Sequence, residues 1–350
     1  MHPLSFICFL SLTVMQFYGL LGPSWGPVVP ITFAFVLVPI LDAILGVYPR
    51  NPTVAEQARW NKPWVWGFWT YTYTISHFAL LATGFAVVEA ASWPMIALYA
   101  LAVGVYTGGL GITVAHELAH KRGLFPRFTA NALLCTVWYQ HFYVEHVRGH
   151  HMNVATPDDP ASARRGESSF RFLARTYVHS YLHALKIESK RIGKTWSPRN
   201  QILQGFAAQA ALTVLVAGFL GPKALAFFLA QSFIAFTLLE LVNYVEHYGL
   251  SRRPLGNGRY EKVTHLHSWN SSHWFSNALL FNLQRHSDHH AAAHLPFTSL
   301  RHFDDSPQLP SGYPGMLMLS AIPPLWFLVM DPKVDEWRKK HAKESDKLAS

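Results

Sequence analysis

The chain has 350 residues, half of them hydrophobic and only 14% charged, well below the roughly 25% charged of an ordinary soluble domain. It carries 29 Lys and Arg against 20 Asp and Glu, a net charge of +9, with 20 histidines and two cysteines. Cys8 and Cys135 alone exclude a four-cysteine iron or zinc site and a disulfide framework. Any metal must rest on histidine or carboxylate, and no nucleic-acid motif accompanies the basic balance.

Residues 4–21 form an uninterrupted apolar run. It lacks the charged n-region and small-residue cleavage site of a signal peptide, so it is expected to be a retained spanning helix. Residues 28–48 make a second span that Pro39 is expected to kink. Residues 64–88 make a third with His77 inside, and residues 93–115 a fourth, loosened by Gly104, Gly108, Gly109 and Gly111. Small residues there let another helix or a ligand approach closely. Within the polar segment 120–200, residues 128–144 are apolar but carry Gln140 and His141, which predicts a helix buried in a cap. Residues 201–220 and 224–248 read as spans five and six, joined at Gly221 and Pro222. Residues 313–330 are apolar but hold three prolines, which predicts an interfacial segment.

The expected architecture is an all-α integral membrane protein, one membrane domain of six transmembrane helices under a histidine-rich cap built from 120–200 and 251–350. Every Lys and Arg except Lys223 falls in segments on one side of those spans. Positive charge marks the cytoplasmic side, so both termini and the cap are expected there, in the inner membrane of the cell.

The histidines are not scattered. H-E-L-A-H-K (116–121) puts His116 and His120 on one helix face; alone, it is also the zinc-protease pattern with Glu117 as base. E-H-V-R-G-H-H (145–151) adds His146, His150 and His151. N-Y-V-E-H-Y-G-L (243–250) places His247 at the cytoplasmic end of span six. L-Q-R-H-S-D-H-H (283–290) adds His286, His289 and His290 at i, i+3 and i+4, which predicts three imidazoles on one face. Nine imidazoles at one level exceed a single tetrahedral zinc and suit two metals with four or five nitrogens each. Glu117, Glu145, Glu246 and Asp288 each adjoin one of these histidines. They are expected to orient imidazole N–H groups, with direct metal ligation by one of them as the alternative. The regular Glu-x-x-His pattern of soluble di-iron bundles is absent.

These four segments resemble the histidine boxes of the integral-membrane alkane 1-monooxygenases. The resemblance extends to L-D-A-I-L-G (41–46), A-T-P-D-D-P (155–160), H-S-W-N-S-S-H (267–273) and S-G-Y-P-G (311–315), and covers about 28–338. The H-Y-G element separates this family from membrane fatty-acid desaturases, whose boxes are otherwise alike. The resemblance implies two irons held by the nine histidines. It implies insertion of one oxygen atom from O2 into the terminal C–H bond of an n-alkane. Electrons would come from NAD(P)H through a reductase and a separate rubredoxin. A desaturase or fatty-acid hydroxylase is the competing reading, and a membrane zinc protease a more distant one.

Asp159, His141, His265, His267 and His273 are further candidates for supporting the boxes. His77 is expected to be hydrogen-bonded within the bundle, and His2, His179, His183, His294, His302 and His341 to lie on the surface. Small Ala34, with Val38, is expected to line a substrate channel along span two. The basic cluster Lys186, Lys190, Arg191 and Lys194 offers a docking face for an acidic rubredoxin.

Overall fold

The computed structural model describes residues 1–349, with side chains through residue 340; His341 lies outside those side chains. Among the described residues, five helices are long and apolar enough to cross a membrane: α1 Pro3–Leu21, α2 Val28–Leu45, α4 Pro63–Val88, α5 Trp93–Ala119 and α9 Gln201–His247. The short α3 (Val54–Trp60) precedes α4 and is closed by a Thr53–Glu56 capping box. The chain is an all-α membrane protein.

Pro39 acts as expected, one turn upstream of itself. A proline offers no N–H to the fourth residue back and crowds its carbonyl. The backbone absorbs this in a π turn over Phe33–Leu37, and a left-handed Gly46 (φ 70°) ends α2.

Gly104 and Gly108 of α5 face α9, whereas Gly111 faces Tyr73 and His77 of α4. A Cβ on Gly108 would lie 2.5 Å from the Ala235 carbonyl oxygen, and one on Gly104 2.6 Å from Ile234 Cβ. Glycine is required here by contact between backbones. Gly109 differs, because its nearest neighbour would be Leu238 Cδ2 at 3.8 Å.

Helix α9 runs for 47 residues but turns back on itself at Gly221, whose φ of 81° is non-helical. The contacts require it. Trp138 Nε1 donates to Thr213 Oγ1 at 3.0 Å, and the neighbouring Tyr139 hydroxyl donates to Glu240. A straight helix would hold residues 213 and 240 about 40 Å apart, beyond the reach of two adjacent side chains.

The cap helix expected over 128–144 is corrected. The helix runs over α6 Leu124–Cys135 and stops. The chain turns through Trp138 (φ 54°) and rises again as an irregular helix, α7, over 142–153. Its turn dips among the spans. Thr136 Oγ1 lies 2.9 Å from His77 Nε2, near the middle of α4, and Gln231 Nε2 donates to the Thr136 carbonyl at 2.8 Å. Leu124, Phe125 and Phe128 stay exposed on the outer face. The segment is a re-entrant hairpin, because His77 and Gln231 satisfy its turn where water is absent.

Helix α8 (Ser169–Ile192) crosses the cap. A two-stranded hairpin, Pro254–Gly256 with Arg259–Tyr260, follows α9, and then the short helices α10 (Trp274–Leu279) and α11 (His286–Ala291). The proline-rich tail divides into α12 (Tyr313–Ser320) and α13 (Pro323–Ala349). Neither is apolar for long enough to span, as the prolines predict.

Gly108→Ala should destabilise the protein by about 1–3 kcal/mol, because backbone must move to admit the methyl group. Gly109→Ala should be near neutral. Thermal melts of the two variants in one detergent check the contrast.

Candidate metal centre

The nine histidines arrive from four directions. His116 lies in the last turn of α5 and His120 caps it. His146, His150 and His151 lie on α7, His247 ends α9, and His286, His289 and His290 lie on α11. They divide into two groups. Five (His116, His120, His146, His151, His289) and four (His150, His247, His286, His290) each offer nitrogens within 4.8 Å of one another. The groups adjoin, with the His151 and His290 rings 4.6 Å apart.

The division refines the one-face expectation for each box. On α11, His286 and His290 share one group while His289, between them, turns to the other. On α7 the partners are His146 and His151, five residues apart, with Nε2 atoms 3.0 Å apart. A π turn over Glu145–His150 brings them together; such turns are frequent at functional sites.

The convergent atoms are Nε2 throughout, and their spacing is informative. His289 Nε2 lies 2.9 Å from His116 Nε2 and 3.1 Å from His151 Nε2. His290 Nε2 lies 2.9 Å from His286 Nε2 and 3.2 Å from His150 Nε2. An imidazole nitrogen has one in-plane lone pair or one hydrogen, so it cannot serve two such neighbours. The buried Nε2 atoms of His120 and His247 have no hydrogen-bond partner. Nitrogens bound at about 2.1 Å to one transition-metal ion stand about 3–4 Å apart. Both donor sets fit a metal cation.

Partners behind the rings are fewer than expected. Asp159 Oδ2 accepts from His150 Nδ1 at 2.9 Å and from Ser162 Oγ at 2.6 Å. Ser268 Oγ, which no sequence signal marks, lies 3.1 Å from His247 Nδ1. The other carboxylates do not orient N–H groups of the nine box imidazoles. Glu117 pairs with Lys121 at 2.7 Å. Glu145 accepts from His183 Nδ1 at 2.8 Å, which makes His183 part of the centre's surroundings rather than idle surface. Asp288 is held by Arg301 at 2.7 Å. Glu246 Oε2 does reach His286, but at Nε2, 3.1 Å away, on the side where a metal would sit.

His273 bonds Ser271 at 2.7 Å, His265 bonds Asp305 at 2.9 Å, and His267 contacts Glu261 at 3.2 Å. His267 also meets the His247 imidazole through its backbone, whereas His273 and His265 bond the partners named here rather than a box imidazole. His141 packs on Tyr139 and Tyr181. His302, expected at the surface, bonds Ser272 at 2.9 Å. His77 bonds Tyr73 and Thr136 inside the bundle, as expected.

Burial lowers His120, His146, His151, His286, His289 and His290 well below the ordinary imidazole value of 6.5, and neighbouring imidazoles add to it. These rings are neutral, the form that binds metals. Burial also opposes charge on His150, but the Asp159 carboxylate outweighs it and raises that ring. A positive charge is thus favoured there, which a metal at Nε2 supplies as well as a proton does.

An apolar cavity leads to the first group. It is lined by Leu12, Ala34, Gly108, Leu239 and Leu317, among others, and ends at Thr113 and Leu283. Those two residues also line a smaller pocket walled by His116 and His289. Ala34 is therefore a lining residue, whereas Val38 is buried in the packing and does not line the cavity.

The fatty acid desaturase family model matches residues 91–320. The chain is 44% identical over 325 residues to alkane 1-monooxygenase 2 of Pseudomonas aeruginosa, covering 89% of this chain and 85% of that one. The chain belongs to the alkane 1-monooxygenase family. The alkane 1-monooxygenase of Pseudomonas putida is 38% identical over 92% of this chain and 79% of its own. The xylene/toluene monooxygenase hydroxylase component of Pseudomonas putida is 33% identical over 66% and 62%. All nine box histidines lie within the matched region, His116 to His290, of this alkane 1-monooxygenase family member.

Asp159→Asn should weaken metal affinity about 10–100-fold, as loss of an imidazole's hydrogen-bond partner does. His273→Gln should leave it unchanged. Metal titration followed by elemental analysis measures both.

Acid should destabilise the metal-free chain. Below about 6.5 the unfolded chain takes up protons that six buried rings refuse, so stability falls from there toward their lowered values. His150 and His183 are raised and act the opposite way, but they are two against six. Melting temperatures between pH 7 and 5 should decrease; a flat or rising profile would contradict neutral burial.

Proposed function

We propose that this chain is a di-iron alkane 1-monooxygenase. It inserts one oxygen atom from O2 into the terminal C–H bond of a medium- or long-chain n-alkane to give a primary alcohol. The second oxygen atom leaves as water, which requires two electrons and two protons. The electrons come from NAD(P)H through a reductase and a rubredoxin. The observation that carries this reading is that an apolar cavity reaches Thr113 and Leu283, which also line the smaller pocket walled by His116 and His289 of the five-nitrogen group.

His116, His120, His146, His151 and His289 would hold one iron, and His150, His247, His286 and His290 the other. Bound iron supplies the redox chemistry for O2 activation and cleavage of an unactivated C–H bond, which no side chain can perform. The residues of the chain do the rest. An alkane has no polar handle, so it is held by apolar burial alone, at about 0.8 kcal/mol per methylene. Leu12, Leu239 and Leu317 keep water from the path. Thr113 and Leu283, where the cavity narrows, direct one chain end toward the imidazoles. Asp159 holds the His150 ring with its Nε2 free to bind.

The two arms of α9 count as separate spans, which makes six. The basic segments then lie on the cytoplasmic side of the inner membrane, with both termini there. Alkane reaches the cavity from the bilayer, and electrons and protons arrive from the aqueous side.

The purified chain, loaded with iron and supplied with electrons, should contain two irons per chain. It should convert alkanes between octane and hexadecane to primary alcohols carrying label from 18O2. Unsaturated products without label would instead establish a desaturase.

Ala34→Trp should shift the preferred substrate to shorter alkanes, since the indole would occupy the cavity. Product ratios from a mixed-alkane assay read this directly, and an unaltered ratio rejects the placement of the chain in this cavity.

A further inference from the structure

A basic cleft lies on the outer side of the four-nitrogen group, between the segment 157–164 and helix α8. Asp158 and Pro160 line it. Between them stands Asp159, whose carboxylate accepts from His150 Nδ1 at 2.9 Å. One residue and one hydrogen bond therefore separate the cleft from a ring of the metal centre. Arg175 makes this wall rigid. It donates to the Pro160 carbonyl at 2.9 Å and the Ser162 carbonyl at 3.2 Å, and Glu167 holds it at 2.8 Å. The opposite wall carries His183, bonded to Glu145 beside His146.

The rim is cationic. Arg164, His179 and Lys186 are exposed around the cleft. Among the described residues, neither Arg164 nor Lys186 forms an ion pair. Leu182 on the wall and Val178 beside it are 53% and 54% exposed. An apolar centre inside a charged rim is the composition of a protein–protein contact. The basic cluster expected further along α8 is less suited. Arg191 is spent on Glu188 at 2.6 Å, and of the four only Lys186 reaches the cleft.

We infer that this cleft is the docking site of the electron donor, a small protein with an acidic face, and that electrons reach the centre through Asp159 and His150. The proposal rests on the monooxygenase reading above, because it is that reaction which needs two electrons from outside. Charge complementarity around a docking face governs encounter more than chemistry. Reversing the rim should therefore act on the donor's KM and spare the iron.

The test uses iron-loaded enzyme in nanodiscs of neutral lipid, with reduced rubredoxin as the probe. Arg164→Glu combined with Lys186→Glu should raise the KM for rubredoxin about tenfold or more. Iron content, and the alcohol formed in a single turnover with dithionite, should not change. Lys190→Glu combined with Lys194→Glu makes the same charge change off the cleft and should move KM less than about twofold. An unmoved KM in the cleft variant, or equal rises in both variants, overturns the assignment while dithionite-driven alcohol keeps the function intact. Absence of alcohol from the unaltered enzyme with dithionite sinks the function and this proposal with it. If anionic lipid in the nanodisc raises the unaltered enzyme's KM as much as charge reversal does, the cleft binds headgroups and the assignment fails.

Discussion

Nine imidazoles converge so that seven of their Nε2 atoms face one another at hydrogen-bond distance without enough hydrogens to satisfy them. This crowding is the constraint on which the rest of the structure depends. Left alone, it is unfavourable. Lone pairs converge, the His120 and His247 nitrogens are unpartnered, and burial denies the rings a compensating proton. A buried polar group without a partner costs about 1–3 kcal/mol. A cation at each focus turns that cost into binding energy, so the fold and the metal are linked. The scaffold must hold the rings together before the metal arrives, and much of the architecture serves that end.

Several devices do so, among them departures from regular helix. The π turn at Glu145–His150 changes the angular step along α7 and brings residues five apart to one focus. A second π turn, Thr107–Ile112, lies just before the segment that carries His116. The glycines at 104 and 108 bring α5 against α9, the two long helices that deliver His116 and His247. Below them, the re-entrant turn at Thr136 is tied to α4 and α9 by His77 and Gln231. The second box, His146 to His151, rises from that turn, so its position is set from inside the bundle. Above, Arg285 is buried and donates to the carbonyls of Leu300 and Tyr48 at 2.8 Å, and Gln284 bridges Ser276 and Tyr313. These two residues hold α11, which feeds both foci, to the bundle.

The two foci differ in their surroundings, and the difference organises the chemistry. Two histidines of the five-nitrogen group wall the small pocket that shares Thr113 and Leu283 with the apolar cavity, whereas none of the four-nitrogen histidines lines either. The four-nitrogen group instead has the polar neighbours: Asp159 and Ser268 behind its rings, and Glu246 beside its ligand atoms. One side of the centre thus adjoins apolar side chains and the other buried polar groups. A reaction that joins a greasy substrate to electrons and protons needs both faces, and a centre at the ends of apolar helices supplies them.

The nature of the chain was legible in its residues. Apolar runs near twenty residues, the placement of all Lys and Arg but one, and the four histidine boxes determined an all-α membrane protein with a metal centre, because each signal is local or additive along the chain. Asp159 was also readable, from its place in A-T-P-D-D-P. What tertiary structure alone decided was partnership. No spacing rule assigns His146 to His151, since that pairing depends on a π turn. None sends His289 away from His286 and His290, since that depends on where two foci lie about α11. Glu117, Glu145 and Asp288 adjoin histidines in sequence yet bond Lys121, His183 and Arg301, because adjacent side chains on a helix point in different directions. The re-entrant hairpin was hidden for a similar reason. Its turn is permitted only by His77 and Gln231, which stand far away in the chain and beside it in space.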